Sequence, residues 1–232
     1  RDLALAGNKL LSRISTRDLK VLTRHLKAID LPLRKRLETS GRPIDQVYFL
    51  ESGFASVVAN GTPADRVEVG MIGREGKTGL AVVIGTDRSP NDTYMQNAGK
   101  GLSMPAAELV KAMRSSTTLR SSLLLYAHAF LVQATQTAKA NGRSKIEERL
   151  ARWLLMAHDR LENDDLVITH EFLSVMLGVR RPGVTVALSF LEKAGLIATD
   201  RGVISIIDRA GLKRAATGAY GVAEAELTRV FG

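Results

Sequence analysis

The spacing of apolar residues changes several times along the chain, and each change predicts a different element. From Ser15 to Leu26, Leu19, Leu22 and Leu26 recur at helical intervals behind Ser15 or Thr16 as a cap. Between Ala28 and roughly Pro105 short β-prone runs alternate with glycine: Val47 to Leu50, Ala55 to Val58, Arg66 to Met71, Leu80 to Ile84, Thr93 to Gln96 and Leu102 to Met104. Many short strands at near-regular spacing predict a barrel or roll. Pro105 opens a helical region, with a short helix over Ala106 to Met113 and a long one from about Thr118 to Ala140. The long helix repeats Leu119, Leu123, Tyr126 or Ala127, Phe130, Ala134 and Thr137, a seam that drifts between three and four residues. Such a seam suits two helices packed side by side, although the same stripe could rest against the chain's own barrel. Asn141-Gly142 is expected to break the helix and form a hinge, followed by a helix from Ser144 to Leu161 that buries Ile146, Leu150, Trp153, Leu154 and Ala157.

The stretch from Thr169 to Asp208 is the most informative. Phe172, Leu173, Met176 and Leu177 mark the apolar stripe of one short helix, and Val184, Leu188 and Leu191 that of a second. Thr169 can cap the first, Gly178 suits the tight turn between them, and Pro182 suits the first turn of the second. Two β-prone runs follow, Leu196 to Thr199 and Val203 to Ile207, around Asp200-Arg201-Gly202. The order is that of a winged helix-turn-helix. With the apolar stripe inward, the second helix leaves Arg180, Arg181, Gly183, Thr185, Val186 and Ser189 on or near its open face, concentrated at its start. A helix entering the major groove reads DNA with that end. Arginine bonds bidentately to guanine, threonine and serine reach a base or phosphate, and valine touches a thymine methyl. Thr169 and Arg201, at the two ends of the segment, complete the expected DNA-binding set. Two cations at a helix start oppose the helix dipole, which argues for an anion nearby.

Composition changes this picture only in part. At 232 residues with 45% hydrophobic content the chain has room for two domains, and no apolar run is long enough to span a bilayer. No leader is evident at the start and there is no cysteine, which excludes disulfides and thiolate metal sites and fits a bacterial cytoplasm. The formal charge of +9 favours a polyanionic partner, but residues 1–140 carry 20 Lys and Arg against 12 Asp and Glu, whereas residues 141–232 carry 13 against 12. The case for DNA therefore rests on the local pattern at Arg180 and Arg181.

In order of elements and in residues the chain resembles the Crp/Fnr family of bacterial transcription regulators. VYFLESGFASVV, Val47 to Val58, looks like the family's barrel strand pair joined through a glycine turn. RLARWLLMAHDR, Arg149 to Arg160, looks like its first C-terminal helix, and the winged segment from Leu166 to Ile207 is the most specific piece. The resemblance implies an α+β fold: residues 1–117 as a cyclic-nucleotide-binding-like β-roll or jelly-roll sensor, 118–141 as a dimerisation helix and 142–232 as a winged helix-turn-helix. It implies a homodimer on a double-stranded, two-fold-symmetric operator, in contact with RNA polymerase, and places Arg181 at the family's guanine-contacting arginine. An effector between barrel and long helix would involve Gly73, Glu75, Arg88 and Thr135. Cyclic-nucleotide binders of the family carry a Gly-Glu pair and, further on, an Arg-Ser/Thr-Ala run whose arginine neutralises the phosphate. Here Gly73-Arg74-Glu75-Gly76 is a loose counterpart, Arg88-Ser89 is displaced and Pro90 follows it. Without a fixed guanidinium a buried phosphodiester lacks its partner, so cyclic AMP and cyclic GMP are not expected ligands, and no cofactor is expected.

Other signals fail. Gly76-Lys77-Thr78 looks like the end of a phosphate loop, but Met71 stands where that loop needs glycine. His25, His128, His158 and His170 show no metal-ligand spacing, and no nucleophile and base stand paired, so neither a metal site nor catalysis is expected. The alternative reading is a barrel enzyme or ligand-binding signalling module whose winged domain binds protein.

Overall fold

The computed structural model describes residues 7–62 and 65–231. A 3-10 turn at Leu11–Arg13 leads into α1 (Thr16–Thr23), where the Ser15 hydroxyl accepts from the Asp18 amide. The strands β1 (Lys27–Leu31), β2 (Arg36–Glu38), β3 (Gln46–Leu50), β4 (Phe54–Ala59) and β5 (Val67–Ile72) precede a short helix α2 (Leu80–Ile84), and β6 (Asn91–Asn97) and β7 (Gly99–Pro105) complete the β region. These strands form two antiparallel sheets, β1-β7-β3 and β2-β6-β4-β5. Leu31, Leu37, Leu50, Ala55, Val57, Ile72 and Met95 fill the space between them, which makes a roll.

Helices α3 (Ala106–Ser115) and α4 (Thr117–Arg143) follow, separated by Ser116, whose hydroxyl caps α4 by accepting from the Leu119 amide. The inner face of α4 buries Leu119, Leu123, Tyr126, Ala129, Gln133 and Ala140. Its first half shares a core with Leu22, Val47, Phe49, Met104 and Leu109 beneath the roll. The C-terminal part comprises α5 (Ile146–His158), β8 (Asp165–Val167), α6 (His170–Leu177), α7 (Arg181–Lys193), β9 (Ile197–Asp200), β10 (Val203–Ile206), α8 (Arg209–Ala215) and α9 (Val222–Phe231). Its core, from Leu150 to Ala216, also takes in Phe54, Val58, Met71 and Tyr94 of the roll, so the two halves share apolar packing.

The architecture is the expected one, with four differences. Leu80–Ile84 is a helix rather than a strand, bracketed by Gly79 and Gly85 in left-handed conformations. A short apolar run fits a buried helix as well as a strand, and only its ends decide. The long helix runs through Asn141 and Gly142, and the chain turns at Ser144 and Lys145, both extended. One asparagine and one glycine cost too little to end a helix already propagated over many turns. The apolar seam read from the sequence is the face turned toward the roll. Finally, β1, β2, β8, α8 and α9 carry too little periodicity to have been marked.

A Cβ at Gly142 would meet nothing within 4 Å. Gly142→Ala should therefore raise stability by up to about 1 kcal/mol, seen as a higher Tm, because it removes glycine from a continuous helix. A destabilised variant would show that the chain hinges there.

Candidate nucleic-acid interface

Helix α6 begins where the Thr169 hydroxyl accepts from the Phe172 amide at 3.2 Å. It ends at Gly178, whose φ of 58° lies in the region most side chains avoid. Leu173, Met176 and Leu177 then face Val184, Ala187, Leu188 and Leu191 of α7. The apolar stripe of α7 turns its opposite side to solvent. Arg180, Arg181, Thr185 and Val186 are exposed, Val186 at 70%, while Gly183 and Ser189 are half-buried. A Cβ on Gly183 would stand 3.2 Å from Ile146, so Gly183 serves close packing against α5 as well as the open face.

Among the described residues neither Arg180, Arg181 nor Arg201 has a carboxylate within ion-pairing distance. Their charges are available to an external anion. Thr185 is oriented by its neighbours, its hydroxyl 3.3 Å from both the His170 ring and the Arg181 carbonyl. Phe190, one turn beyond Val186, is 55% exposed and extends the outer face with an aromatic ring. The signal for it was present: an apolar residue standing out of register with the buried stripe at 184, 188 and 191.

The wing has three strands in the order β8-β10-β9, not two. Val203 pairs with Asp200, which leaves Arg201 and Gly202 as a two-residue loop with φ of 42° and 85°. Positive φ at both positions is what the tightest hairpin turn requires. It sets the exposed Arg201 at the tip, beyond Thr169 at the start of α6.

Contacts with the roll hold this unit in place. The Trp153 indole donates to Glu68 at 2.9 Å, and the Ser56 hydroxyl donates to the other oxygen of the same carboxyl. Phe54 packs its ring edge against Trp153, and Tyr94 does the same with Phe172, over which the Arg34 guanidinium lies at 5.6 Å. Arg160 reaches Glu75 at 2.5 Å and also donates to the Met156 carbonyl. Helix α9 folds back along α4: His128 meets Glu226 at 2.7 Å, and Phe231 packs near Tyr126. The Arg152 guanidinium joins the junction by donating to the Ala219 carbonyl and the Thr137 hydroxyl.

The four residues expected around an effector do not converge. Gly73 and Glu75 are adjacent, with the Gly73 amide donating to Glu75, but the carboxylate is taken by Arg160. Arg88 lies on the surface and pairs with Asp87 at 3.0 Å. Thr135 is exposed on the outer side of α4, its hydroxyl turned back to the Val132 carbonyl. The seam between roll and α4 is closed by side chains. Gln133 accepts from the Met71 amide and donates to its carbonyl, Tyr126 fills the space beside Gly76, and a cavity of only about 30 Å³ remains. Inside the roll Lys77 is fully buried, donating to the Thr78 and Gly79 carbonyls near Glu38. Burial pushes its amine down to about 7, with Glu38 opposing. Among the described residues no group of three or more His, Cys, Asp or Glu is placed to hold a metal, and no helix is long and apolar enough to cross a membrane.

Comparison with known proteins bears on the same segment. The model of the Crp-like helix-turn-helix domain matches residues 148–215. Among solved structures, a transcriptional regulator of the Crp/Fnr family from Eubacterium rectale superposes with a TM-score of 0.72 at 16% identity, over 90% of this chain and 98% of that one. FixK2 from Bradyrhizobium japonicum gives 0.71 at 17%, over 82% and 96%. A CRP-family regulator from Thermus thermophilus gives 0.66 at 19%, over 84% and 98%. No curated protein matches the chain by sequence.

Burial raises the Glu68 carboxyl to about 7 against an ordinary 4.5, with its hydrogen bonds to Ser56 and Trp153 and the nearby Arg152 and Arg160 opposing. The folded-state value is the higher, so the stability this carboxyl contributes is complete below about pH 4.5 and is lost as pH rises through about 7. Glu68→Gln keeps a hydrogen-bonding side chain without the ionisation. Its Tm relative to the parent should rise between about pH 5 and 8, by the equivalent of up to about 3 kcal/mol. Parallel pH profiles for the two proteins would refute this account of the interdomain contact.

Proposed function

We propose that this chain, a DNA-binding transcription regulator of the Crp/Fnr type, binds a two-fold-symmetric operator as a homodimer. Each protomer presents the start of α7 to a major groove. The observation that carries the reading is the exposed outer face of α7, where Arg180 and Arg181 stand free of carboxylate partners beside Thr185 and Val186. Arg181 reads a guanine edge, Thr185 and Ser189 reach a base or phosphate, Val186 touches a thymine methyl, and Thr169, Arg180 and Arg201 hold the backbone. Gly183 keeps α7 close to α5. We divide the chain into a roll ending before α4, the long helix to Arg143, and a reading domain from Lys145 onward. The roll is a sensor or the remnant of one, and the complex engages RNA polymerase in the cytoplasm without catalysis of its own.

The outer side of α4 supports the dimer. Thr117, Ser121, Leu124, His128, Leu131, Thr135, Ala138 and Gly142 follow one another at alternating four- and three-residue spacing, and all are exposed, Leu131 at 60%. That is the stripe of a two-helix seam. Its small members allow close approach, and a two-fold axis along it sets two reading heads for grooves about 34 Å apart.

Two measurements test the reading. Arg181→Ala should cost roughly 1–3 kcal/mol of operator affinity and relax selection at one base pair per half-site, seen by binding-site selection; an unchanged site preference would remove Arg181 from the reading set. Leu131→Glu should yield a monomer in sedimentation and lower operator affinity by about a hundredfold or more, the share that joining two heads supplies. A variant that remains dimeric would move the interface elsewhere.

A further inference from the structure

We propose that the groove between α2, α3 and the start of α4, outside the seam where an effector was expected, binds an amphipathic monocarboxylate. The proposal is independent of DNA reading. The groove has a volume of about 540 Å³, within the range of small-molecule sites and far larger than the cavity left beside Gln133. Val82, Val83, Val110 and Met113 line its floor, and Arg114 and Arg120 line it from either side of the α3–α4 corner.

Two features select the ligand class. The floor is aliphatic, so the ligand carries an alkyl or aryl body. Its two guanidinium groups have no carboxylate within ion-pairing distance among the described residues. Asp87, the carboxylate that lines the same groove, does not serve them, because Arg88 holds both its oxygens at 3.0 Å. The groove therefore keeps an excess positive charge over an apolar surface. A carboxylate matches the planar fork of arginine and satisfies it bidentately, whereas a polyanion would leave the aliphatic floor in water and a neutral lipid would leave the guanidinium groups unused. Bound there, the ligand joins α2 and α3 to the first turn of α4, where the outer stripe on that helix begins.

Calorimetric titration of the full chain without DNA tests the site, with octanoate, 1-octanol and octylamine as probes. Octanoate should bind saturably at one site per chain, octanol more weakly by roughly tenfold or more, and octylamine not measurably. The exposed double variant Arg114→Ala, Arg120→Ala should lower octanoate affinity to that of octanol, and Val110→Trp should abolish both by filling the groove. Equal affinity for octanoate and octanol, binding that survives Val110→Trp, or no saturable octanoate binding would each overturn the proposal. Since no DNA is present, a failed operator assay leaves this result standing, and the reverse holds too.

Discussion

Helix α4 is held against the roll along one face and exposed along the other, and the rest of the molecule is arranged around that constraint. Its inner face is committed to the roll through Leu119, Leu123, Tyr126 and Ala129, and Gln133 locks the register by pairing with both backbone groups of Met71. Because the amide and carbonyl of one strand residue are both engaged, α4 cannot slide or rotate on the roll without leaving buried backbone groups unsatisfied, a cost of about 1–3 kcal/mol for each. The outer face is thereby fixed in direction. Its exposed stripe is what a second helix would have to meet, and the placement of α5 and everything beyond it follows from where α4 ends.

The reading domain is consequently carried on a scaffold rather than tethered to it. Trp153 and Phe54 bring apolar area from α5 and the roll together, while Glu68 and the Arg160–Glu75 pair put polar groups into the same contact. Helix α9 adds a third tie, running back from the reading domain to lie along α4 near Tyr126 and His128. This last element lies beyond the 148–215 segment that matches the Crp-like domain. Its chemistry differs from that of the inner contacts: the ion pair of Glu226 is at the surface and screened, whereas Glu68 and Arg160 are enclosed and feel a lower dielectric.

Much of this was legible in the chain, and the reasons for the rest are physical. The stripes at 173, 176, 177 and 184, 188, 191, with Thr169 and Gly178 at their ends, specify the helix-turn-helix because periodicity and caps agree there. The outer residues of α7 follow by subtraction. In the long helix that logic reversed: the most apolar seam is the one already used by the roll, and the free stripe is marked mainly by small and polar residues with Leu124 and Leu131 among them. A helix packed on both sides carries two stripes, and hydrophobicity alone does not say which faces its own chain. The failure at Leu80–Ile84 has another origin, since five apolar residues between glycines carry no period. The effector residues scattered because they had been gathered by resemblance, and Arg160, which occupies Glu75, lies far away in sequence where no local pattern could pair the two.

The mixture of apolar and polar contacts between roll and reading domain has a consequence for switching. A purely aliphatic interface tolerates small rotations with little loss, because dispersion and burial are not directional. A carboxyl that must accept from Trp153 and Ser56 together, and a guanidinium that must meet both Glu75 and the Met156 carbonyl, admit one orientation. Displacing α5 breaks the two bonds that cross to the roll, Trp153 to Glu68 and Arg160 to Glu75, together, because Trp153 and Arg160 lie on or just beyond that helix. A rotation of the C-terminal domain would have to give up both directional bonds at once, and a ligand that biased it would have to favour one whole set of contacts over another. The groove beside α3 lies at the start of α4, away from this set. A ligand there would not touch the C-terminal domain directly, so any influence on it would have to pass along α4, whose exposed stripe begins at Thr117, before the guanidinium at Arg120.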